Sequence, residues 1–193
     1  MTPEPRLAPT PSQTVGPFFH FALTEEDLSR LVALDHPRAV RIEGTVRDGA
    51  GEPVTDAMVE IWQANSNGRY AHPEDHRDEL PLEEGFTGFG RCQTDTEGRY
   101  EFVTVKPGAV PGPDGLPQAP HIDVVIFARG LLKQVVTRIY FPDEEEANAA
   151  DPVLMSIEDH NLRSTLVARD SPEGHLHFDI NLQGEYQTVF FDV

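Results

Sequence analysis

Val40-Arg41-Ile42-Glu43-Gly44-Thr45-Val46-Arg47 is the stretch that sets the fold class. Its even positions are apolar or glycine and its odd positions are charged or hydroxylated. That period of two is what a half-buried β-strand needs to turn one face to a core and the other to water. Downstream, Asp48-Gly49-Ala50-Gly51-Glu52-Pro53 is turn chemistry, and Met58-Val59-Glu60-Ile61-Trp62-Gln63 supplies a second strand. Thr94-Asp95-Thr96-Glu97-Gly98-Arg99 repeats the device before Tyr100-Glu101-Phe102-Val103-Thr104-Val105. Further strands are expected over residues 122–128, 134–141, 175–182 and 186–191, interrupted by helical patches at 143–149 and 158–167. Such a series predicts an all-β, two-sheet β-sandwich with a few short helices.

Upstream the pattern is different. A proline-rich opening over residues 2–17 leads to Thr24-Glu25-Glu26-Asp27-Leu28, which reads as a helix N-terminus. One domain is expected over 1–193, with an arm and short helix to residue 37 and the sandwich core over 38–193. Lys and Arg number 15 against 33 Asp and Glu, a net charge of −18 that repels nucleic acid and anionic membrane surfaces. A site for a small anion therefore needs a locally placed cation. The single cysteine, Cys92, can form no internal disulfide, and the Met1-Thr2-Pro3-Glu4-Pro5 start lacks a secretory pattern. A cytoplasmic protein is expected, and no apolar run approaches the roughly 20 residues that span a bilayer.

Two long irregular stretches, 71–90 and 107–120, exceed the ~12 residues beyond which a loop in a compact domain usually has a function or is disordered. The second holds five prolines and three glycines, which suits a stiff binding rim. Trp62 reads as core, and Asp143-Glu144-Glu145-Glu146 as the acidic start of a helix.

Taken together, several motifs carry a resemblance. They are the run from Val54 to Gln63 with Ala64-Asn65-Ser66-Asn67-Gly68-Arg69-Tyr70, then Gly88-Phe89-Gly90-Arg91, Lys106-Pro107-Gly108 and Pro120-His121-Ile122. In order and spacing they resemble the intradiol ring-cleaving dioxygenases. The match runs from Thr14-Val15-Gly16-Pro17-Phe18-Phe19 to Thr188-Val189-Phe190-Phe191-Asp192 and is nearest the alpha chains of the two-chain enzymes that cleave protocatechuate.

The resemblance implies a ferric site of two tyrosinates and two histidines in catalytic chains, hard anionic donors that stabilise Fe(III) beside imidazoles. Carried onto this sequence, the first tyrosine is Tyr70 and the first histidine His121. The second tyrosine position holds Val110 and the second histidine position Asp123. Half the ligand set is missing, so the resemblance implies that Fe(III) is held by a partner beta chain and that Tyr70, Val110, His121 and Asp123 are vestigial positions. A three-ligand site of Tyr70, His121 and Asp123 is the alternative metal reading. A stand-alone transthyretin-like binding module is the alternative of a different class.

The resemblance further implies that Thr14, Gly16 and Pro17 form an arm reaching the partner's pocket. It also places Arg129 at the carboxylate of 3,4-dihydroxybenzoate, which O2 would open to 3-carboxy-cis,cis-muconate. Glycine permits close backbone approach and proline fixes the turn. A guanidinium fork suits a carboxylate. The plain readings are a tied-down arm and an arginine paired with an acidic side chain. His175-Leu176-His177 is a second His-x-His, but as part of a strand its histidines read, with Asp179, as a solvated face opposite Leu176, Phe178 and Ile180.

Overall fold

β1 (Ala39–Arg47) is the axis of one sheet. The structure is a computed structural model that describes residues 14–16, 22–112 and 115–192. β1 pairs antiparallel with β4 (Arg99–Val105), from Ala39↔Val105 to Thr45↔Arg99. On its other side it pairs in parallel with two short strands, β10 (Leu176–His177) and β11 (Ile180–Asn181), and β9 (Arg169–Asp170) adds to β10. The second sheet is antiparallel throughout, in the order β3 (Phe89–Gln93), β2 (Met58–Trp62), β7 (His121–Phe127), β8 (Val135–Tyr140). A hairpin of β5 (Val110–Pro111) and β6 (Pro117–Gln118) gives the 107–120 loop its shape.

The alternation seen in the sequence explains the core. Ile42, Val46, Tyr100 and Phe102 of the first sheet meet Val59, Ile61, Ile122, Val124, Ile126 and Ile139 of the second, all buried. Each such side chain contributes about 1.5–3 kcal/mol of hydrophobic stabilisation. At Gly44 a Cβ would lie 1.8 Å from the Phe178 carbonyl oxygen, so only glycine lets the chain pass this close to β1. Tyr100 donates its buried hydroxyl to that same carbonyl at 2.6 Å. A smaller cluster of Ala119, Tyr140, Leu154 and Leu166 packs α1 (Glu145–Ala150), α2 (Pro152–Met155) and α3 (His160–Ser164) beside β8.

Four local readings change. Residues 175–182 form two two-residue strands in place of one, because Phe178 and Asp179 bend away to bond Glu43 and Thr45 of β1. Residues 186–191 are irregular except for a bridge from Phe191 to Val136. Thr24–Leu28 starts no helix: the Asp27 carboxylate accepts the Ser29 N–H at 2.9 Å, and Leu28 and Arg30 bridge to Arg91 and Val103. β3, with Phe89 followed by glycine and polar residues and no β-branched side chain, has only a weak strand signal of its own and forms because it pairs with β2. Among the described residues no helix is long and apolar enough to cross a membrane.

Candidate functional site

The face of the second sheet turned away from the core carries the expected site residues, and strand register decides which of them meet. On β7, Ile122, Val124 and Ile126 point into the core, so His121 and Asp123 point outward. Trp62 of β2 stands opposite Asp123, which stands opposite Arg138 of β8, and His121 stands opposite Tyr140. One cross-strand row therefore reads Trp62, Asp123, Arg138.

Tyr70 reaches this region through a turn built by Asn65. The Asn65 side-chain carbonyl accepts the backbone N–H groups of Asn67 at 2.9 Å and Arg69 at 3.0 Å. Gly68 sits at φ +79°, where a Cβ would also lie 2.2 Å from the Ala109 carbonyl oxygen. The Gly108 N–H donates to the Asn65 carbonyl at 2.9 Å, so the turn fixes the loop that leads into Val110. The Tyr70 ring stacks on Trp62 with centroids 5.9 Å apart, and His72 meets Trp62 edge-on at 6.3 Å. With Pro111 and Arg77 these rings line a groove of about 640 Å³. Trp62 is thus a half-buried groove wall and not a core residue.

The donor set does not fit the ferric ion that the resemblance implies for catalytic chains. Val110 is buried and offers no donor atom. The Asp123 carboxylate accepts the Arg138 Nε–H at 2.8 Å, and Arg138 also donates to the Gln118 side chain at 2.6 Å. A guanidinium therefore supplies the positive charge beside His121 and Asp123. Burial, with Asp123 adding to it, pushes the Tyr70 phenol up to about 12, so at neutral pH the side chain is a neutral phenol. His121 is buried, its Nδ1 lies 2.7 Å from the Ala119 carbonyl, and burial with the Arg138 cation holds its imidazole below the usual range. Its Nε2 is 3.9 Å from Asp123. Among the described residues no group of three or more His, Cys, Asp or Glu is placed to hold a metal ion. Asp123 is engaged by Arg138, which speaks against the three-ligand alternative.

Arg129 and Thr14 lie at the other end of β7. Asp123 and Arg129 are six residues apart, four along β7 and two into the turn after it, at most about 20 Å at ~3.3 Å per residue. The Thr14 hydroxyl oxygen accepts the Gly130 N–H at 3.0 Å, so the arm is held at the residue next to the arginine. Arg129 is 74% exposed at its side chain, and its Nε donates to Asp56. The plain reading of an arginine paired with an acid therefore describes this chain, although among the described residues only one edge of the guanidinium is engaged. A cleft of about 200 Å³ lined by Thr14, Val15, Phe127 and Leu131 adjoins the pair, and Leu132 beside it is 65% exposed. Gly16 is exposed, and Pro17 lies outside the described residues.

His175 corrects the reading of a solvated face. It is buried, with Nε2 2.7 Å from the Glu43 carboxylate, whereas His177 is half-buried with Nε2 3.0 Å from Asp179. Leu176, Phe178 and Ile180 are in the core as expected. Sequence reasoning did not single out Arg138, Gln118 or Asp56, whose roles depend on register. Asp151 did carry a signal, since an Asp before Pro is a helix N-cap pattern.

Comparison with known proteins gives a concordant result. The profile of a protein family described as Dioxygenase matches residues 15–184. The chain is 42% identical to the protocatechuate 3,4-dioxygenase alpha chain of Pseudomonas putida, over 96% of this chain and 97% of that one. It is 41% identical to the beta chain of the Burkholderia cepacia protocatechuate 3,4-dioxygenase, over 76% and 65%. Among solved structures, the dioxygenase domain of a dioxygenase–carbohydrate-binding protein fusion from Streptomyces sp. SirexAA-E superposes with a TM-score of 0.56 at 26% identity, covering 92% of this chain and 99% of that one.

Proposed function

This chain belongs to the intradiol ring-cleaving dioxygenase family, and we propose that within it the chain is the alpha subunit of a protocatechuate 3,4-dioxygenase. It holds no iron of its own. It completes the substrate pocket of an iron-bearing beta chain, in which 3,4-dihydroxybenzoate is opened by O2 to 3-carboxy-cis,cis-muconate. Thr14, Gly16, Pro17 and Arg129 are its contribution to that pocket.

One observation carries this reading. Arg129 stands up to about 20 Å from Asp123, past the end of β7, farther than one benzene ring can bridge. Thr14, Gly16 and Arg129 are exposed at an edge that also presents Leu132, so they suit a pocket outside this chain. The Arg138–Asp123 pair supports the same reading from the other side, because it satisfies the residual acid without a metal. In the assembled enzyme this chain binds and orients. Arg129 presents N–H donors to the substrate carboxylate in a protein whose net charge of −18 otherwise repels anions. The arm closes the slot against water, and the partner opens the ring.

The test is Arg129→Ala in the alpha–beta complex. The Michaelis constant for protocatechuate is expected to rise about 10- to 100-fold, the range for a charge-assisted hydrogen bond, and that for catechol to change little. Equal losses for both substrates would remove the carboxylate role. Co-purification with a second chain of the same fold separates this reading from a stand-alone binding module.

A further inference from the structure

We propose that Asp56 is a positioning residue for Arg129, fixing the orientation of its guanidinium so that the pocket reads where on the substrate the carboxylate lies. The inference rests on the proposed role of Arg129 and goes beyond it to a residue that touches no substrate.

Register brings the pair together. β2 and β7 are antiparallel with Met58 opposite Phe127, and two residues beyond each end of that pair stand Asp56 and Arg129. The ladder ends at Met58 and Phe127, and Asp56 and Arg129 stand in the turns just beyond it, close enough for their side chains to pair. The backbone behind Asp56 is rigid. Ala57 is fully buried, donates its N–H to the Thr94 hydroxyl at 3.0 Å and accepts the Thr94 N–H at 2.9 Å. The backbone behind Arg129 is fixed as well, by the Leu131 N–H to the Ala128 carbonyl at 3.3 Å and the Gly130 N–H to Thr14.

Arg129 is otherwise an exposed, rotamer-rich side chain that would be ordered only on binding. Among the described residues Asp56 takes Nε alone, and no hydrogen bond engages Nη1 or Nη2. The end-on edge, two parallel N–H donors, is thus left for a carboxylate in bidentate geometry. An exposed ion pair of this kind adds little to stability. Its consequence is orientation.

The measurement uses the alpha–beta complex and two probes, 3,4-dihydroxybenzoate and 3,4-dihydroxyphenylacetate, whose carboxylate lies one carbon farther from the ring. Asp56→Ala is expected to reduce the kcat/KM preference for the first over the second about two- to tenfold, chiefly through KM, as expected for releasing one ordered side chain. Asp56→Asn keeps a side-chain oxygen acceptor for Nε without the charge and is expected to hold the preference within about twofold. If both variants instead lower KM for both acids equally, Asp56 is only a charge that weakens Arg129, and the proposal is overturned. An unchanged preference in Asp56→Ala overturns it too. Arg129→Ala, assayed in parallel, keeps the two failures apart: if it loses discrimination while Asp56→Ala does not, only the role of Asp56 falls. If Arg129→Ala loses none, the carboxylate reading itself falls.

Discussion

Replacing Arg138 by methionine is expected to destabilise the chain by about 3 kcal/mol, read as a lowered denaturation midpoint. Arg138 and Asp123 are 19% and 29% exposed at their side chains and are joined at 2.8 Å. Removing one member of a largely desolvated pair leaves the other charged and without its partner, which costs about 3–5 kcal/mol when burial is complete. The partial exposure of both side chains argues for the lower end. Arg138 also donates to Gln118, whose backbone pairs with Val110, so the β5–β6 hairpin should loosen with it. The double variant Asp123→Leu with Arg138→Met removes both charges and is expected to recover stability to within about 1 kcal/mol of the native chain. If the single and double variants were equally destabilised, the arginine would owe its place to packing and not to Asp123.

Asp151→Ala is expected to cost about 4 kcal/mol. The fully buried Asp151 carboxylate accepts four hydrogen bonds: from the N–H of Ala119 at 2.8 Å, Val153 at 2.9 Å and Leu154 at 2.7 Å, and from the Tyr140 hydroxyl at 3.2 Å. Each contributes about 1 kcal/mol, and more where a buried donor is left unmatched. The same carboxylate caps α2 and ties it to the segment entering β7, so the loss should reach His121. Asp151→Asn, which gives up one acceptor, is expected to lose about half as much by the same measurement. Amide exchange at Ala119 and Leu154 should accelerate together in Asp151→Ala. Exchange confined to the helix would mean that the carboxylate is a cap and nothing more.

The strands that alternate strongly were legible from sequence. β1, β2, β4, β7 and β8 fall within a residue or two of their expected limits, because one face of each is buried and the period of two follows from that. Shorter pieces were not. β3 is held by β2 and has little propensity of its own, and β10 and β11 are cut apart by bonds that residues 178 and 179 make to β1. At the site, Tyr70, Val110, His121 and Asp123 could be named in advance because motif order carries them. What occupies their neighbourhood could not. Arg138 sits 15 residues from Asp123 and Asp56 sits 73 from Arg129, and only strand register makes either pair adjacent. Trp62 shows the same limit, since an apolar side chain on a strand serves equally as core or as groove wall until the second layer is known.

This chain is proposed to have no iron site and to lend its exposed edge to a partner that has one. The most direct measurement is the iron content and visible spectrum of the chain produced without its partner in iron-replete cells. Iron well below one equivalent and no tyrosinate-to-iron band are the predicted result. One ferric ion per chain with a tyrosinate charge-transfer band would contradict it.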